Sequence, residues 1–189
     1  MLVIDTETGG LDWRRCALVS VGAIHAESGA EFSMLIRPHE GLDLDAGAME
    51  VTGLERAHLE EHGTDEGDAL RMFAMWLHVF GLQEWCGCNP EFDRGFLDAG
   101  FARHGIEKRL PRRPVCLQTL AWLAADRGLI SLPVGSNGMP KRSLDAILEA
   151  VGLARSSARH DALEDARLTL GAYRKIKARF DARIQISGQ

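Results

Sequence analysis

Hydrophobic residues change their period once along this chain, and that change limits the folds open to it. The first 37 residues read as strands. Leu2 to Asp5 is a short apolar run of the buried-strand kind. Ala17 to Ala26 (A-L-V-S-V-G-A-I-H-A) is β-rich, and after the turn Glu27-Ser28-Gly29 a further strand is expected near Glu31 to Arg37. Beyond it the spacing lengthens. Leu70, Phe73, Ala74 and Leu77 fall at i, i+3, i+4 and i+7 and predict an amphipathic helix, followed by a strand over Glu84 to Cys88. Helical patterns then dominate. Phe92, Phe96, Leu97 and Phe101 suit one helix, Leu117 to Arg127 a second and Ser143 to Val151 a third. Leu163, Ala166, Leu170 and Tyr173 form the inner stripe of a long final helix, and glycine-rich Gly128 to Lys141 reads as a loop. Strands first, then strand and helix alternating, predict an α/β fold with a mixed sheet covered by helices. With 189 residues, 46% of them hydrophobic, a single domain over 1–189 is expected.

Composition narrows the function. The apolar run Met1 to Ile4 is interrupted at once by Asp5, and the stretch Met72 to Leu82 contains His78, so neither a signal peptide nor a membrane span is expected. A soluble, cytoplasmic protein follows as the expectation. Cys16, Cys86, Cys88 and Cys116 include no C-x-x-C pair, which predicts reduced, mostly buried thiols in place of a zinc site or disulfide scaffold. A net charge of −5 argues against holding nucleic acid by bulk electrostatics. It leaves room for a site that brings its own cations. Basic residues cluster locally at Lys108, Arg109, Arg112 and Arg113, at Lys141 and Arg142, and at Arg174, Lys175, Lys177 and Arg179, the last group reading as a solvated helix face.

Acidic residues gather in three segments. In V3-I4-D5-T6-E7-T8-G9-G10-L11 an apolar run ends on two carboxylates; at i and i+2 of a strand they project from one face. Side by side they repel, which raises one pKa unless a cation lies between them. Mg2+ and Mn2+ prefer such oxygen ligands, and Gly9-Gly10 offers a backbone that another molecule can approach closely. In C86-G-C-N89-P-E-F-D93 the chain runs from strand to helix, with Asn89 as N-cap and Pro90 at N1, placing Asn89 and Asp93 at the sheet's end, where sites gather. In R159-H160-D161-A-L-E164-D165-A, Asp161 and Glu164 have capping-box spacing. His160 and Asp165 then occupy N′ and N4, the positions that touch across a helix start and normally hold an apolar staple.

Together, D5-T-E7-T-G-G-L, N89-P-E-F-D93 and H160-D-A-L-E-D165-A resemble the three Exo motifs of the DEDDh 3′-5′ exonucleases, the DnaQ-like group of the ribonuclease H-like superfamily. M49-E-V-T-G-L54 and S143-L-D-A146 are similar to secondary segments of that family. Histidine at 160 marks the h subgroup; Tyr173, the chain's one tyrosine, lies after Asp165. The resemblance implies a ribonuclease H-like mixed five-stranded sheet with one antiparallel strand, flanked by helices. It also implies that Asp5, Glu7, Asp93 and Asp165 would hold two Mg2+ or Mn2+ ions, with His160 as general base. A paired-cation site of that kind can activate water and stabilise a departing 3′ oxygen, and an imidazole suits proton removal near neutral pH. Thr8, Gly9, Leu11, Thr52 and Asn89 would face the terminal nucleotide. Leu11 would wedge between the last bases, unless it packs back on the core as a turn residue.

The expected substrate is therefore a single-stranded or frayed 3′ end of DNA, released stepwise as nucleoside 5′-monophosphates. Two rivals stand beside it: an exoribonuclease of the oligoribonuclease kind, since contact with the 2′-OH depends on pocket shape, and a non-catalytic nucleic-acid-binding or polymerase-accessory module on the same fold. The presence of all five motif residues disfavours the second. Gly9 replaces a threonine common in relatives, and Gln118-Thr119-Leu120 departs from their D-T-L or D-S-L; neither removes a ligand. The end at Ile186-Ser187-Gly188-Gln189 suggests no polymerase-tethering segment, and a homodimer is left open.

Overall fold

The structure, a computed structural model, describes residues 1–81, 84–108 and 110–187, without the side chains of 186 and 187. Arg109 of the first basic cluster, Leu82 at the end of the Met72 stretch, and Gly188-Gln189 lie outside the described residues.

Among the described residues there are five strands and seven helices. Strand β1 (Leu2–Thr8) is followed by the hairpin β2 (Leu18–His25) and β3 (Glu31–Leu35). Helices α1 (Ala46–Thr52), α2 (Arg56–His62) and α3 (Glu66–Val79) lead to β4 (Trp85–Gly87) and α4 (Pro90–Arg103). Then come β5 (Val115–Cys116), α5 (Leu117–Asp126), α6 (Leu144–Val151) and α7 (Ala162–Ser187). The sheet order is β3-β2-β1-β4-β5. Strand β2 runs antiparallel to both its neighbours, while β1, β4 and β5 are parallel. This is the ribonuclease H-like arrangement that the motifs imply.

Strand alternation decides what covers each face. Leu2 and Ile4 point to the side where α3 and α4 bring Phe73, Leu77, Phe96 and Phe101. Val3 points to the other side, against Ala166 and Leu170 of α7. The far half of α7 packs Ala172 and Ile176 against Leu117 of α5 and Ile147 of α6. Each fully buried Leu or Phe contributes roughly 1.5–3 kcal/mol, so the sheet's position between two helical layers is set by many interchangeable contacts.

Three differences from the sequence reading matter for the site. First, β1 does not stop at Asp5 but continues through Thr8. Asp5 pairs with Gly22 and Glu7 with Ser20, because β2 is long enough to go on bonding the backbone after the apolar run ends. Second, α1 and α2 were not foreseen; at seven residues each they are too short to show helical periodicity. Third, the basic group on α7 is not simply solvated. Arg174, Lys175 and Arg179 donate to the carbonyls of Ala26, Val151 and Leu129, and Lys177 pairs with Asp181. The four cysteines are free, three of them buried and Cys116 partly so, as expected. No described helix is long and apolar enough to cross a membrane.

One buried charge outside the site is fully paired. Glu66, at the start of α3 and 2% exposed, accepts from Arg103 through both carboxylate oxygens, at 2.8 and 2.7 Å, and contacts His104 Nε2 at 2.7 Å. That network ties the start of α3 to the end of α4. It also positions the other end of α4, which enters the site.

Candidate active site

Strand β1 forms the floor of the site. Its odd residues face α7, so Asp5 and Glu7 lie on that side, and Thr6 and Thr8 turn towards α3 and α4. Strand β4 pairs with β1 at Leu2 and Val3 only, which leaves the N–H of Thr6 without a sheet partner on that edge. Asp93 fills the gap. Its Oδ1 accepts from the Thr6 N–H at 2.9 Å and from the Thr6 hydroxyl at 2.8 Å. A buried backbone donor demands a partner, and here the partner is a carboxylate held at the mouth of the site.

Two helix starts converge on this floor. In α4 the N-cap is Asn89 and Pro90 is N1, so Asp93 sits at N4; the Asn89 side chain makes no capping hydrogen bond. In α7 Asp161 Oδ1 accepts from Glu164 N–H at 2.8 Å, as an N-cap should, which puts Asp165 at N4 as well. The reciprocal half of the capping box is missing, since Glu164 Oε1 accepts instead from the Ser156 N–H at 2.7 Å. The loop before α7 is thereby tied down by the residue expected to cap the helix. His160 and Asp165 do meet across the helix start, Nδ1 to Oδ2 at 3.8 Å, beyond hydrogen-bond length. Both N-termini present partial positive charge to the acids.

A close approach of backbones makes the convergence geometrically possible. A Cβ at Gly22 would lie 2.2 Å from the carbonyl carbon of Ala162 and from Leu163 N. Glycine in β2 lets the first turn of α7 press directly on the sheet, which carries Asp165 to within reach of Glu7.

Asp5, Glu7, Asp93, His160 and Asp165 line one cavity of about 610 Å3, a volume suited to a nucleotide-sized ligand. Thr8, Leu11, Thr52 and Asn89 line it too, while Gly9 does not. Gly9 is enclosed by the protein itself: its N–H donates to Ala17 O, its carbonyl accepts from Asp45 N–H, and a Cβ would lie 2.6 Å from Asp43 O. At Gly9 the expected close backbone approach is thus made by this chain's own 43–45 loop, while Gly10 lines the cavity. Leu11 is 85% exposed at the rim, so it does not pack back on the core. Val51, Phe92 and Leu144 give the cavity apolar walls.

Electrostatically the floor is unbalanced. Burial, then the neighbouring Asp93 and Glu7, push the Asp5 carboxyl well above the usual range. Burial lifts Glu7 to about 7 against the pull of Arg155, and lifts Asp93 to about 7 despite the two bonds from Thr6. Glu7 Oε1 is buried with no hydrogen-bond partner. An orphaned carboxylate oxygen beside further carboxylates, with donor atoms of Glu7, His160 and Asp165 all within 4.8 Å of one another, fits a divalent cation that prefers oxygen ligands. His160 moves the other way: burial and then Arg155 lower its pKa, which keeps the ring neutral near neutral pH.

A model of the RNase T exonuclease family matches residues 2–173. The chain belongs to that family. Its fold agrees with solved structures of exonuclease I. Escherichia coli exonuclease I in complex with a dT13 oligonucleotide superposes with a TM-score of 0.76 at 22% identity, covering 98% of this chain and 42% of that one. The same enzyme with a dA16 oligonucleotide gives 0.77 at 23%, covering 94% and 40%. A moderately thermophilic exonuclease I from Methylocaldum szegediense gives 0.77 at 22%, again covering 94% and 40%. The chain therefore spans about two fifths of the length of these relatives.

Two residues of this RNase T family chain escaped the sequence reading. Arg155 donates from Nε to Asp145 Oδ1 at 2.6 Å and from a terminal nitrogen to Asp165 Oδ1, with its side chain 9% exposed inside the cavity. Nothing in L153-A-R-S-S marks it, because an arginine in a loop has no periodicity to read. Thr6 was passed over as spacing between two acids; the parallel-strand pairing that orphans its N–H is a tertiary fact.

Proposed function

We propose that this exonuclease, acting as one domain over 1–189, removes nucleotides stepwise from single-stranded or frayed 3′ ends of DNA and releases nucleoside 5′-monophosphates. The observation that carries the reading is the meeting of four carboxylates and one neutral imidazole in a single cavity, with Glu7 Oε1 lacking any protein partner. Asp5, Glu7, Asp93 and Asp165 would hold two Mg2+ or Mn2+ ions. Bound there, such cations supply the charge that sharpens a water nucleophile and stabilises a departing 3′ oxygen.

The chain's own residues do the rest. His160, kept neutral by burial and Arg155, takes the proton from the attacking water. Thr6 fixes Asp93 by two hydrogen bonds, so that carboxylate has little freedom to reorganise. The backbone N–H of His160 donates to Val51 O at 3.2 Å, tying this segment to α1, where Thr52 faces the cavity. Exposed Leu11 at the rim favours unpaired ends, since wedging between bases needs a strand that is not stacked in a duplex. That exonuclease I has been crystallised with oligonucleotides agrees with this substrate class.

The test is digestion of 5′-labelled single-stranded DNA, duplex DNA and RNA in Mg2+, Mn2+ or EDTA, with Asp165→Ala and His160→Ala alongside. A ladder shortening from the 3′ end, abolished by EDTA and by Asp165→Ala, is expected. Undiminished activity in Asp165→Ala would remove the metal assignment. A wild-type rate in His160→Ala at neutral pH would remove the general base alone. Faster digestion of RNA than DNA would transfer the reading to the exoribonuclease class.

A further inference from the structure

Resting on the proposed metal site, we infer that Arg155 is a built-in stand-in cation. It holds Asp165 when no divalent ion is present and must release that carboxylate for one to bind, so it sets the metal affinity of the site.

The geometry supporting this is local. Arg155 spans two carboxylates of unlike character. One, Asp165, is 6% exposed in its side chain and lines the cavity floor; the other, Asp145, is 63% exposed at the wall. The same guanidinium pulls down the pKa of the Asp5 and Glu7 carboxyls and of the His160 imidazole, so its charge reaches beyond the carboxylates it bonds. It is the one arginine or lysine lining this cavity among the described residues. Without it, the four motif carboxylates, with Asp45 and Asp145, would share the cavity with no lysine or arginine among the described residues.

A divalent ion that used Asp165 would meet two obstacles in Arg155. The oxygen Oδ1 is already accepting a charge-assisted hydrogen bond, among the stronger kinds in proteins. A fixed positive charge also stands beside the place where the ion would sit. The bond to Asp145 gives the guanidinium somewhere to remain once Asp165 is released, so displacement needs a side-chain swing and no unfolding. Arg155 is thus a positioning residue that acts through Asp165.

The experiment uses the full chain stripped with EDTA and titrated with Mn2+ by calorimetry, at mildly alkaline pH where the carboxyls are ionised. Wild type is compared with Arg155→Gln and Arg155→Lys, and Asp5→Asn reports whether binding belongs to this site. Thermal unfolding of each is followed in EDTA and in saturating Mn2+. Arg155→Gln is expected to bind Mn2+ on the order of tenfold more tightly, the scale of one charge-assisted bond no longer given up. It is expected to melt below wild type in EDTA, with that deficit shrinking or reversing in Mn2+. Arg155→Lys, which keeps the charge without the planar two-sided reach, falls between and carries the comparison if the glutamine variant does not fold in EDTA. Unchanged or weaker Mn2+ binding in both variants, while Asp5→Asn still abolishes it, would overturn the inference and leave the metal site standing. An equal melting deficit with and without Mn2+ would also overturn it. Failure of wild type to bind Mn2+ in an Asp5-dependent way would overturn both readings together.

Discussion

Thr6 gives both its backbone N–H and its hydroxyl to a single carboxylate oxygen, Oδ1 of Asp93, 87 residues away. A residue that looked like a spacer between two acids therefore positions a third. Thr6→Val keeps the shape and the backbone bond and removes the hydroxyl bond. It is expected to lower kcat/KM on single-stranded DNA on the order of tenfold, the scale of one hydrogen bond to a charged acceptor. Comparable rates for Thr6→Val and wild type would show that the backbone bond alone holds Asp93.

Stability of the cation-free protein is expected to fall as pH rises. Burial lifts Glu7 and Asp93 from ordinary values of 4.5 and 3.8 to about 7, and lifts Asp5 as well. Between those values the folded state holds protons that the unfolded state has lost, so stability is full at acid pH and is lost as pH rises through about 7. Each such carboxyl contributes up to about 1.4 kcal/mol per pH unit within the window. Melting curves in EDTA should therefore drop from mildly acid to mildly alkaline pH. On the proposed metal site a divalent cation requires the ionised form, so added Mn2+ should stabilise most at the alkaline end. A flat EDTA profile would contradict the unbalanced acid cluster.

Gly22 decides how closely α7 can approach the sheet. A Cβ there meets two backbone atoms at 2.2 Å, which no side-chain movement relieves. Gly22→Ala is expected to cost about 3 kcal/mol in urea unfolding, and to reduce activity further by displacing Asp165. Gly47→Ala makes the control: nothing lies within 4 Å of a Cβ at that helical position, and a change within about 1 kcal/mol is expected.

Leu11, 85% exposed, makes no contribution to the core that its loss could remove. If it wedges into the 3′ end, Leu11→Ala should raise KM for single strands several-fold while leaving the melting temperature and kcat unchanged. A KM equal to wild type on both single strands and frayed duplexes would assign Leu11 to the surface alone.

The elements and motifs were legible because their signals are short-range. Period-2 and period-3.6 spacing placed four of the strands and the five longer helices, while β5, two residues long, was not located from the pattern. Strand alternation put Asp5 and Glu7 on one face, and cap chemistry put Asn89 and Asp161 at helix starts, with Asp93 and Asp165 one turn in. The seven-residue helices α1 and α2 were missed because one or two turns cannot display a period.

What the residue order determined by itself was which side chains were candidates for the site and which local structure would hold each: carboxylates on a strand and at N4 of two helices, with histidine just outside one of them. Tertiary structure decided how those pieces are held relative to one another. Only the end of β4 leaves the N–H of Thr6 for Asp93, only the contact at Gly22 brings α7 down to the sheet, and only the folded 153–165 segment sets Arg155 between Asp145 and Asp165. Each of these joins residues whose partner is chosen by strand length, by backbone proximity or by the need to neutralise buried charge. None of those quantities exists until the chain has folded.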